Sequence, residues 1–520
     1  MLLALLAVAT FDLGTEVPIS YEAFARWSAQ GVASGRGLHL WPLVAPWGLP
    51  QVYLGALTAA LHLDPRIMRL TVLPFLAAAA WGEFLLARRL GAARSWSAAM
   101  AMVLACSPLT LGLATGFQSD VPYLGLLLPA TALGLAWVVS GRGAAVTVVL
   151  VLLALLQRQF GIGVLAGVTL GLVLVRRDRA VGAMEWAMLA AGWLVASGIE
   201  AAAFPLGLAT ADSRHYGAAL LSPPVPGLVA GVFEVPVMVA FVGIPVLLPL
   251  LASRARRVGR RQLAAFGLAL YALAMSAVVL AGSLGVSRGR SILPGDWFGE
   301  SGIGPAHLPG AKPALFTGPE FIAIEVVTLA LVVLVFAWRA DIWTLNRGNI
   351  VRGAYLGVVA ASQFPAVYMD AMIDRHFLPD VALALAVVAV ALSRSGFRWP
   401  GALPALRATM VAAAILEIGI FAAGEQDLQA WLSASRTAAD LELASTPPNR
   451  VDAGMLNAEL VDIPYFDRTG RLPDYPRPVE VYLAFAGPDD PRPGVAYRSR
   501  APGKIVIACT ELRKPCPFAP

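Results

Sequence analysis

The chain has 520 residues, of which 58% are hydrophobic and only 14% are charged. Soluble globular domains are about 45–50% apolar and about 25% charged. This composition excludes a soluble enzyme, a disordered protein and a fibrous protein, and it indicates one long membrane-embedded body. The formal net charge is +6, but the basic residues fall in short clusters between apolar runs. That distribution is typical of membrane topology signals and excludes a nucleic-acid-binding surface.

Apolar runs of roughly 17–25 residues, the length that crosses a hydrocarbon core of about 30 Å, recur along the chain. Residues 1–11 are interpreted as the end of a first span, because a cleaved signal peptide would carry a basic segment that is missing here. The further candidate spans are residues 68–87, 96–113, 121–140, 143–157, 160–175, 182–203, 228–252, 262–283, 319–338, 352–370, 376–393 and 402–423. The sequence thus predicts an all-α polytopic membrane protein with about thirteen transmembrane helices.

Arginine clusters separate these spans and fix their orientation, because basic residues concentrate in cytoplasmic loops. All clusters are cytoplasmic at once when two crossings separate each cluster from the next, which holds for the candidate spans. Residues 50–63 are also apolar, but a crossing there would place Arg88, Arg89 and Arg94 outside. We therefore expect this segment to form an amphipathic or re-entrant interfacial helix within a first outer loop of residues 12–67.

The composition changes after residue 423, where Pro-rich, charged and strand-like pieces replace the apolar runs. The predicted organisation is a transmembrane domain of residues 1–423 and a small extracytoplasmic C-terminal domain of residues 424–520. High usage of Ala, Arg and Gly is typical of bacteria with GC-rich genomes. We therefore expect a multi-pass protein of the bacterial inner membrane.

Ionisable residues near membrane depth are energetically costly and are therefore candidates for function. Asp120 lies in GFQSDVPYL at the outer start of a span, and Arg158 lies in LLQRQFGIG between two apolar runs. Residues 374–376 (Asp-Arg-His) stand at another outer boundary, and Glu22 lies in ISYEAFARW just beyond the first span. The predicted topology places all of these groups on one side of the membrane. The alternative for each is an interfacial anchor or a snorkelling side chain.

Five pieces of sequence stand in a recognisable order: YEAFARWSAQGVASGRG, WGLPQVYLGALTAALHLDPRIMRL, GFQSDVPYL, QRQFGI and DRHFLP. This order resembles that of the polytopic C-type glycosyltransferases (the GT-C superfamily), which use polyprenyl-phosphate-linked sugars. The aminoarabinose and mannosyl transferases and the Rgt-like bacterial group are the most similar members. Two positions depart from the family pattern. Relatives carry an acidic pair where Tyr21 and Glu22 stand, and a tyrosine where His376 stands.

The resemblance implies transfer of a sugar from a lipid phosphate to an acceptor hydroxyl or amine. Such a reaction needs a carboxylate base for the acceptor and fixed positive charge for the leaving phosphate. Glu22 is the aligned candidate for the base, with Asp12 and Glu16 as alternatives outside the aligned motif. Asp120 is expected to orient the sugar, to ligate a divalent cation or to hold an arginine in place.

The resemblance assigns the donor phosphate to Arg158 and Arg375, because a guanidinium binds phosphate bidentately and stays ionised. His376 can donate a further hydrogen bond to the phosphate. The supporting residues in the same motifs are Tyr21, Gln118, Gln159 and Asp374. The sequence has neither a nucleotide-binding glycine-rich loop nor zinc-ligand spacing, so no cofactor is expected to be required; a divalent cation near Asp120 stays one of the alternatives for that residue.

The prediction is therefore a membrane glycosyltransferase with a polyprenyl-phosphate sugar as donor and a glycan, lipid or protein as acceptor. Its expected partners include membrane lipids and exclude nucleic acid. One alternative is a transporter or flippase of lipid-linked sugars, which the lack of an internal repeat disfavours. The other is a non-catalytic family member in an envelope assembly, which the departure at Tyr21 permits.

Overall fold

The computed structural model of the chain consists mainly of helices. It describes residues 1–14, 20–40, 48–203, 235–247, 298–299, 302–303, 318–337, 347–369, 374–394, 404–447, 450–469, 481–498, 500 and 502–509. The predicted span 262–283 and the two ends of the predicted span 228–252 lie outside the described residues.

The N-terminal half contains helices that follow one another through short connections. They are α1 (Leu2–Gly14), α2 (Ser20–Ala33), α3 (Leu49–Ala60), α4 (Pro65–Leu70), α5 (Leu73–Leu90), α6 (Arg94–Cys106), α7 (Pro108–Ala114), α8 (Asp120–Ser140), α9 (Ala144–Gln157), α10 (Gly163–Val175) and α11 (Ala183–Ala203). A single 3-10 turn, Gln159–Ile162, links α9 to α10.

The C-terminal half adds further helices and two sheets. Its helices are α12 (Gly318–Ala337), α13 (Arg347–Met369), α14 (Leu378–Arg394), α15 (Pro404–Leu443) and α16 (Ile463–Thr469). Its strands are β1 (Phe298–Gly299), β2 (Gly302–Ile303), β3 (Val451–Asp452), β4 (Val481–Ala486), β5 (Gly494–Tyr497) and β6 (Gly503–Cys509). A 3-10 turn, Asp374–Phe377, precedes α14.

Two helical segments of the described chain are long and apolar enough to cross a membrane: Pro65–Leu90, which joins α4 and α5, and Asp120–Ser140, which is α8. Helices α6 and α7 make a third crossing if they count as one span, although they are bent by 56° at Ser107. These segments coincide with the predicted spans 68–87, 121–140 and 96–113. The total of about thirteen crossings stays a prediction.

Helices α5 and α8 approach each other closely because glycines line their contact. A Cβ atom on Gly125 would lie 2.5 Å from the backbone oxygen of Phe75. A Cβ atom on Gly82 would lie 2.5 Å from the backbone nitrogen of Pro129. Small residues that let helix backbones touch are typical of packing inside membranes. This contact fixes the outer end of α8, where the candidate residue Asp120 stands.

Helix α3 has the character of an interfacial helix. Its 12 residues extend about 18 Å at about 1.5 Å per residue, too short to cross a core of about 30 Å. One face buries Val52 and Ala56, whereas Tyr53 and Leu57 on the other face are 53% and 58% exposed. The two faces agree with the amphipathic segment predicted at residues 50–63.

Helix α15 passes through the predicted domain boundary, because it runs without a break from Pro404 to Leu443. The sheet that follows has the strand order β3-β4-β6-β5, with β3 parallel to β4 and the other pairs antiparallel. Phe485 of β4 packs edge-on against Trp431 of α15, with ring centroids 5.2 Å apart. The sheet is therefore attached to an extension of the last predicted span, and the division at residue 423 stays a prediction.

Helix α2 of the first outer loop contacts the C-terminal part directly. Trp27 Nε1 donates a hydrogen bond to Asp467 Oδ1 at 3.1 Å, and the Trp27 ring packs edge-on against Phe466. Side chains in contact cannot lie on opposite faces of a bilayer. The contact is compatible with the predicted topology, in which the first outer loop and the C-terminal part lie on one side of the membrane; that shared side stays a prediction.

Candidate active site

The loop of residues 115–119, between α7 and α8, is the point at which the candidate residues converge. Gly116 adopts a φ of +82°, a conformation that glycine accepts without strain. The ring of Phe117 is buried beside Gly55 of α3, where a Cβ atom would lie 2.6 Å from its Cζ. These two features fix the loop against the outer helices. We call it the hub loop.

Glu22 stands beside one end of the hub loop in a buried ion cluster. Its side chain is inaccessible to solvent and accepts a hydrogen bond from Arg69 Nε at 2.5 Å. A second guanidinium, that of Arg26, lies 2.6 Å away on the same helix. A carboxylate held by two cations is a weak base, because both cations favour its charged form. This geometry fits a structural ion pair better than the predicted role of Glu22 as the base.

Asp12, at the end of α1 beyond the first predicted span, occupies the other side of this cluster. Its side chain is 1% exposed, and Oδ1 accepts a hydrogen bond from the backbone nitrogen of Gly116 at 2.7 Å. The other oxygen, Oδ2, has no hydrogen-bond partner among the described residues. Burial raises the pKa of Asp12 to about 8, although Gly116 and Arg69 act in the opposite direction. Asp12 therefore exchanges a proton near neutral pH.

Glu425, just beyond the last predicted span, completes the cluster from α15. It accepts a hydrogen bond from Thr115 Oγ1 at 3.2 Å, and burial raises its pKa to about 7. The cluster thus places three carboxyl groups, those of Asp12, Glu22 and Glu425, against two guanidinium groups. One carboxyl group is uncompensated by this count, so the cluster holds a proton near neutral pH.

The opposite end of the hub loop holds Arg158. Its Nη2 donates to Asp120 Oδ1 at 2.6 Å and to Ser119 Oγ at 3.1 Å. Its Nε has no hydrogen-bond partner in the described part of the chain, and 13% of the side chain is exposed. The guanidinium also lies over the ring of Tyr123, 5.9 Å from the centroid. One edge of the guanidinium is therefore held in place while another edge can still donate to a ligand.

A network of glutamine side chains connects helix α3 to the hub loop and to helix α9. Gln51 Nε2 donates to the backbone oxygen of Gln118 at 2.9 Å. Gln157 Nε2 donates to Gln51 Oε1 and to the backbone oxygen of Ser119, both at 3.3 Å. The side-chain amide of Gln118 is buried, and its Nε2 has no partner in the described ranges. The predicted supporting residue Gln118 therefore contributes its backbone to the network.

The structure locates only some of the other predicted residues. Gln159 lies in the 3-10 turn directly after Arg158, and His376 is buried in the 3-10 turn before α14. The side chains of Tyr21, Asp374 and Arg375 lie outside the described residues, as does the alternative base Glu16.

Three residues of the site were absent from the sequence-based assignment: Arg69, Gln51 and Glu425. Arg69 has a sequence signal, because it is the arginine of the Arg-Leu pair at the start of a predicted span. Glu425 is an acid directly after a predicted span. Gln51 has no signal that distinguishes it from an ordinary interfacial glutamine.

The contacts of Asp120 support one of its three expected roles more directly than the other two. Its carboxylate pairs with Arg158, which is the expected role of holding an arginine in place. No group of three or more His, Cys, Asp or Glu residues in the described ranges is arranged to hold a metal ion. A divalent cation near Asp120 would have to share the carboxylate with Arg158, which binds its Oδ1.

Comparison with known proteins gives matches among solved structures alone. No family model and no curated protein matches the chain. The chain is similar to ArnT from Cupriavidus metallidurans. The structure of ArnT bound to undecaprenyl phosphate covers 99% of this chain and 98% of its own, at 15% identity and a TM-score of 0.41. The apo structure covers 98% and 97%, at 13% identity and a TM-score of 0.37.

At these identities and TM-scores the match carries no argument about individual residues or about activity. Every assignment therefore rests on the motifs of this chain and on its own contacts.

Proposed function

We propose that the chain is a membrane glycosyltransferase that moves a sugar from a polyprenyl-phosphate donor to an extracytoplasmic acceptor. The acceptor oxygen or nitrogen forms a bond to the anomeric carbon of the sugar. The bond from that carbon to the phosphate oxygen breaks, and the lipid phosphate leaves with the electron pair. A base takes the proton that the acceptor loses. The reaction thus needs one base and one fixed cation near the sugar.

The observation that supports this proposal is the hub loop, which has a candidate of each kind at its two ends. The backbone nitrogen of Gly116 bonds to Asp12, and Ser119 bonds to Arg158. The Cα atoms of Gly116 and Ser119 are at most about 11 Å apart, since each residue extends the chain by at most about 3.6 Å. That separation suits a sugar held between its phosphate and its acceptor.

We assign the donor phosphate to Arg158 because Asp120 and Ser119 orient its guanidinium without using all of its donors. Charge that develops on the leaving phosphate is stabilised by a cation already in position, since no reorganisation is then needed. Arg375 and His376, in the turn that precedes α14, remain the proposed additional contacts to the phosphate.

We assign the base to Asp12 in preference to Glu22. A base acts best when its pKa lies near the working pH, and the pKa of Asp12 is about 8. Glu22 is instead committed to Arg69 and Arg26. In this proposal Glu22 holds the two arginines and the first outer loop in place, and it takes no proton.

The test is transfer by the purified full-length protein in liposomes that contain radiolabelled undecaprenyl-phosphate sugars and membrane lipid acceptors. We expect Asp12→Asn to lower the rate by roughly 10²–10⁴-fold, the usual contribution of general acid–base catalysis, with little change in donor binding. Arg158→Ala should instead weaken donor binding. Full activity of Asp12→Asn together with loss of activity in a folded Glu22→Gln variant would return the base to Glu22.

The two alternative functions have their own signatures in the same liposomes. A protein that moves the lipid-linked sugar across the bilayer without transfer would be a flippase. A protein that binds undecaprenyl phosphate but neither transfers nor moves the sugar would be a non-catalytic member of the family. Either result would overturn the proposed activity.

A further inference from the structure

Two buried carboxyl groups in the described part of the chain have no hydrogen-bond partner on either oxygen. They are Glu83 in α5 and Asp380 in the first turn of α14. Their side chains are 0% and 4% exposed, respectively. A buried carboxylate without a partner is costly, so such a group either stays neutral or receives its partner from a ligand. The surroundings of the two groups decide between these outcomes.

Asp380 and Arg158 each lie near Tyr123 of α8. Asp380 is close enough to Tyr123 to interact with it electrostatically, and the Tyr123 ring in turn lies under the Arg158 guanidinium. The Tyr123 hydroxyl donates to Gln363 Oε1 at 2.7 Å, so it is not free to donate to Asp380. The proposed phosphate-binding arginine and an unused carboxyl group thus flank one aromatic ring.

Glu83 has a different environment. It lies two turns before the end of α5, near Arg88 and Arg89, which the predicted topology places on the cytoplasmic side. The candidate residues stand at the opposite, outer ends of the helices. Glu83 is therefore as buried as Asp380 and also has no hydrogen-bond partner among the described residues, but it lies away from the candidate site.

We propose that Asp380 is a sugar-binding residue whose carboxylate accepts a hydrogen bond from a hydroxyl or ammonium group of the donor sugar. This inference rests on the proposed function, because it places the sugar next to the phosphate that Arg158 binds. A phosphate at Arg158 brings the attached sugar to the region around Tyr123. The carboxyl group there supplies the acceptor that the described side chains leave unused. Recognition by a buried acceptor is selective, since a ligand that lacks the matching donor leaves that acceptor unpaired.

The test compares Asp380→Asn with the matched control Glu83→Gln in the full-length protein. Binding is measured in nanodiscs for undecaprenyl phosphate alone, for undecaprenyl-phosphate-linked arabinose and for the 4-amino analogue of that arabinose. We expect Asp380→Asn to weaken binding of at least one sugar-bearing lipid about ten-fold or more, with no change for undecaprenyl phosphate alone. Glu83→Gln should leave all three affinities unchanged.

The two sugars identify the group that Asp380 binds. A loss confined to the amino sugar indicates an ammonium group, whereas an equal loss for both indicates a hydroxyl group. Unchanged affinities in Asp380→Asn would overturn the inference and leave Asp380 as a neutral packing group. A loss of affinity for undecaprenyl phosphate without a sugar, equal to the loss for the sugar-bearing lipids, would also overturn the inference. Asp380 would then maintain the structure of the site and would not bind the sugar.

Failure of the proposed function gives a separate result. Wild-type protein that binds none of the three lipids would refute the proposed donor, and the inference would fall with it. Wild-type binding that survives Arg158→Ala would refute the phosphate assignment alone. If Asp380→Asn does not fold, Asp380→Ser replaces it under the same criteria.

Discussion

Replacement of Gly116 by alanine should destabilise the protein through two separable effects. The first is backbone strain, because an L-residue in the left-handed region costs about 1–2 kcal/mol and Gly116 has a φ of +82°. The second is a contact, because the new Cβ atom would lie 3.0 Å from Glu22 Oε2. Glu22 cannot move freely, since Arg69 and Arg26 hold its carboxylate at 2.5 and 2.6 Å.

The cost of the contact is bounded by the ion pair that it disturbs. Breaking a buried pair costs about 3–5 kcal/mol, so the total loss should exceed the strain of about 1–2 kcal/mol and should not exceed about 7 kcal/mol. Gly35→Ala is the matched control, because Gly35 has a φ of +75° and nothing within 4 Å of the added Cβ atom. The control should lose only the strain, about 1–2 kcal/mol.

The assay measures the unfolding midpoint of both glycine variants in detergent, with tryptophan fluorescence as the signal. A double-mutant cycle with Glu22→Ala adds a direct measure of the contact, because the second effect of Gly116→Ala should disappear when the carboxylate is absent. Equal losses for Gly116→Ala and Gly35→Ala, or additive effects in the cycle, would refute the reasoning. The ion cluster would then tolerate a shift of Glu22 without cost.

The remaining predictions concern the site and the topology. Transfer should rise with pH with a midpoint near pH 8 and level off only above that pH, because burial raises the pKa of Asp12 to about 8 and a base acts only after it loses its proton. A rise centred near pH 4 would contradict this. Stability should fall as the pH rises from about 4 to about 8, since Asp12 loses its proton at lower pH in the unfolded chain than in the folded one. Asp12→Asn should reduce that slope, and the part that remains comes from Glu425, whose pKa burial raises to about 7. Arg158→Ala should weaken donor binding by roughly 30-fold or more, as expected for a lost charged partner, whereas Arg158→Lys should retain part of the donor affinity. Arg375→Ala should weaken donor binding to a similar extent. Unchanged donor affinity in either alanine variant would exclude that arginine as a phosphate contact. Cysteines at positions 36 and 64 should react with a membrane-impermeant reagent from the same side, because helix α3 between them is too short to cross; reaction from opposite sides would show that it crosses.

The local features of the fold were predictable because they depend on neighbouring residues. Apolar runs predicted the helical segments Pro65–Leu90 and Asp120–Ser140, since a span is defined by its own length and hydropathy. The arginines at positions 88, 89 and 94 predicted that residues 50–63 do not cross, and α3 has one buried and one exposed face; its position relative to the membrane stays a prediction. Composition also placed the predicted domain boundary at residue 423. In the structure this position lies inside helix α15, which continues without a break although the composition of the chain changes there.

The sequence by itself determined that this protein is built from apolar helices and that costly charged residues stand at or near the ends of several of them. Residue type decides both, through the free energy of placing a side chain in hydrocarbon. Only the tertiary structure decided which charges meet. Arg69 pairs with Glu22, 47 residues away, and Arg158 pairs with Asp120, 38 residues away. Such pairs follow from helix packing, and a carboxyl group acts as an anchor or as a base according to how many cations face it. Glu22 faces two guanidinium groups, whereas Asp12 keeps an oxygen without a partner in the described chain. The sequence signals only one of the two cations, Arg26, which stands four residues after Glu22 on the same helix; the approach of Arg69 is decided by helix packing.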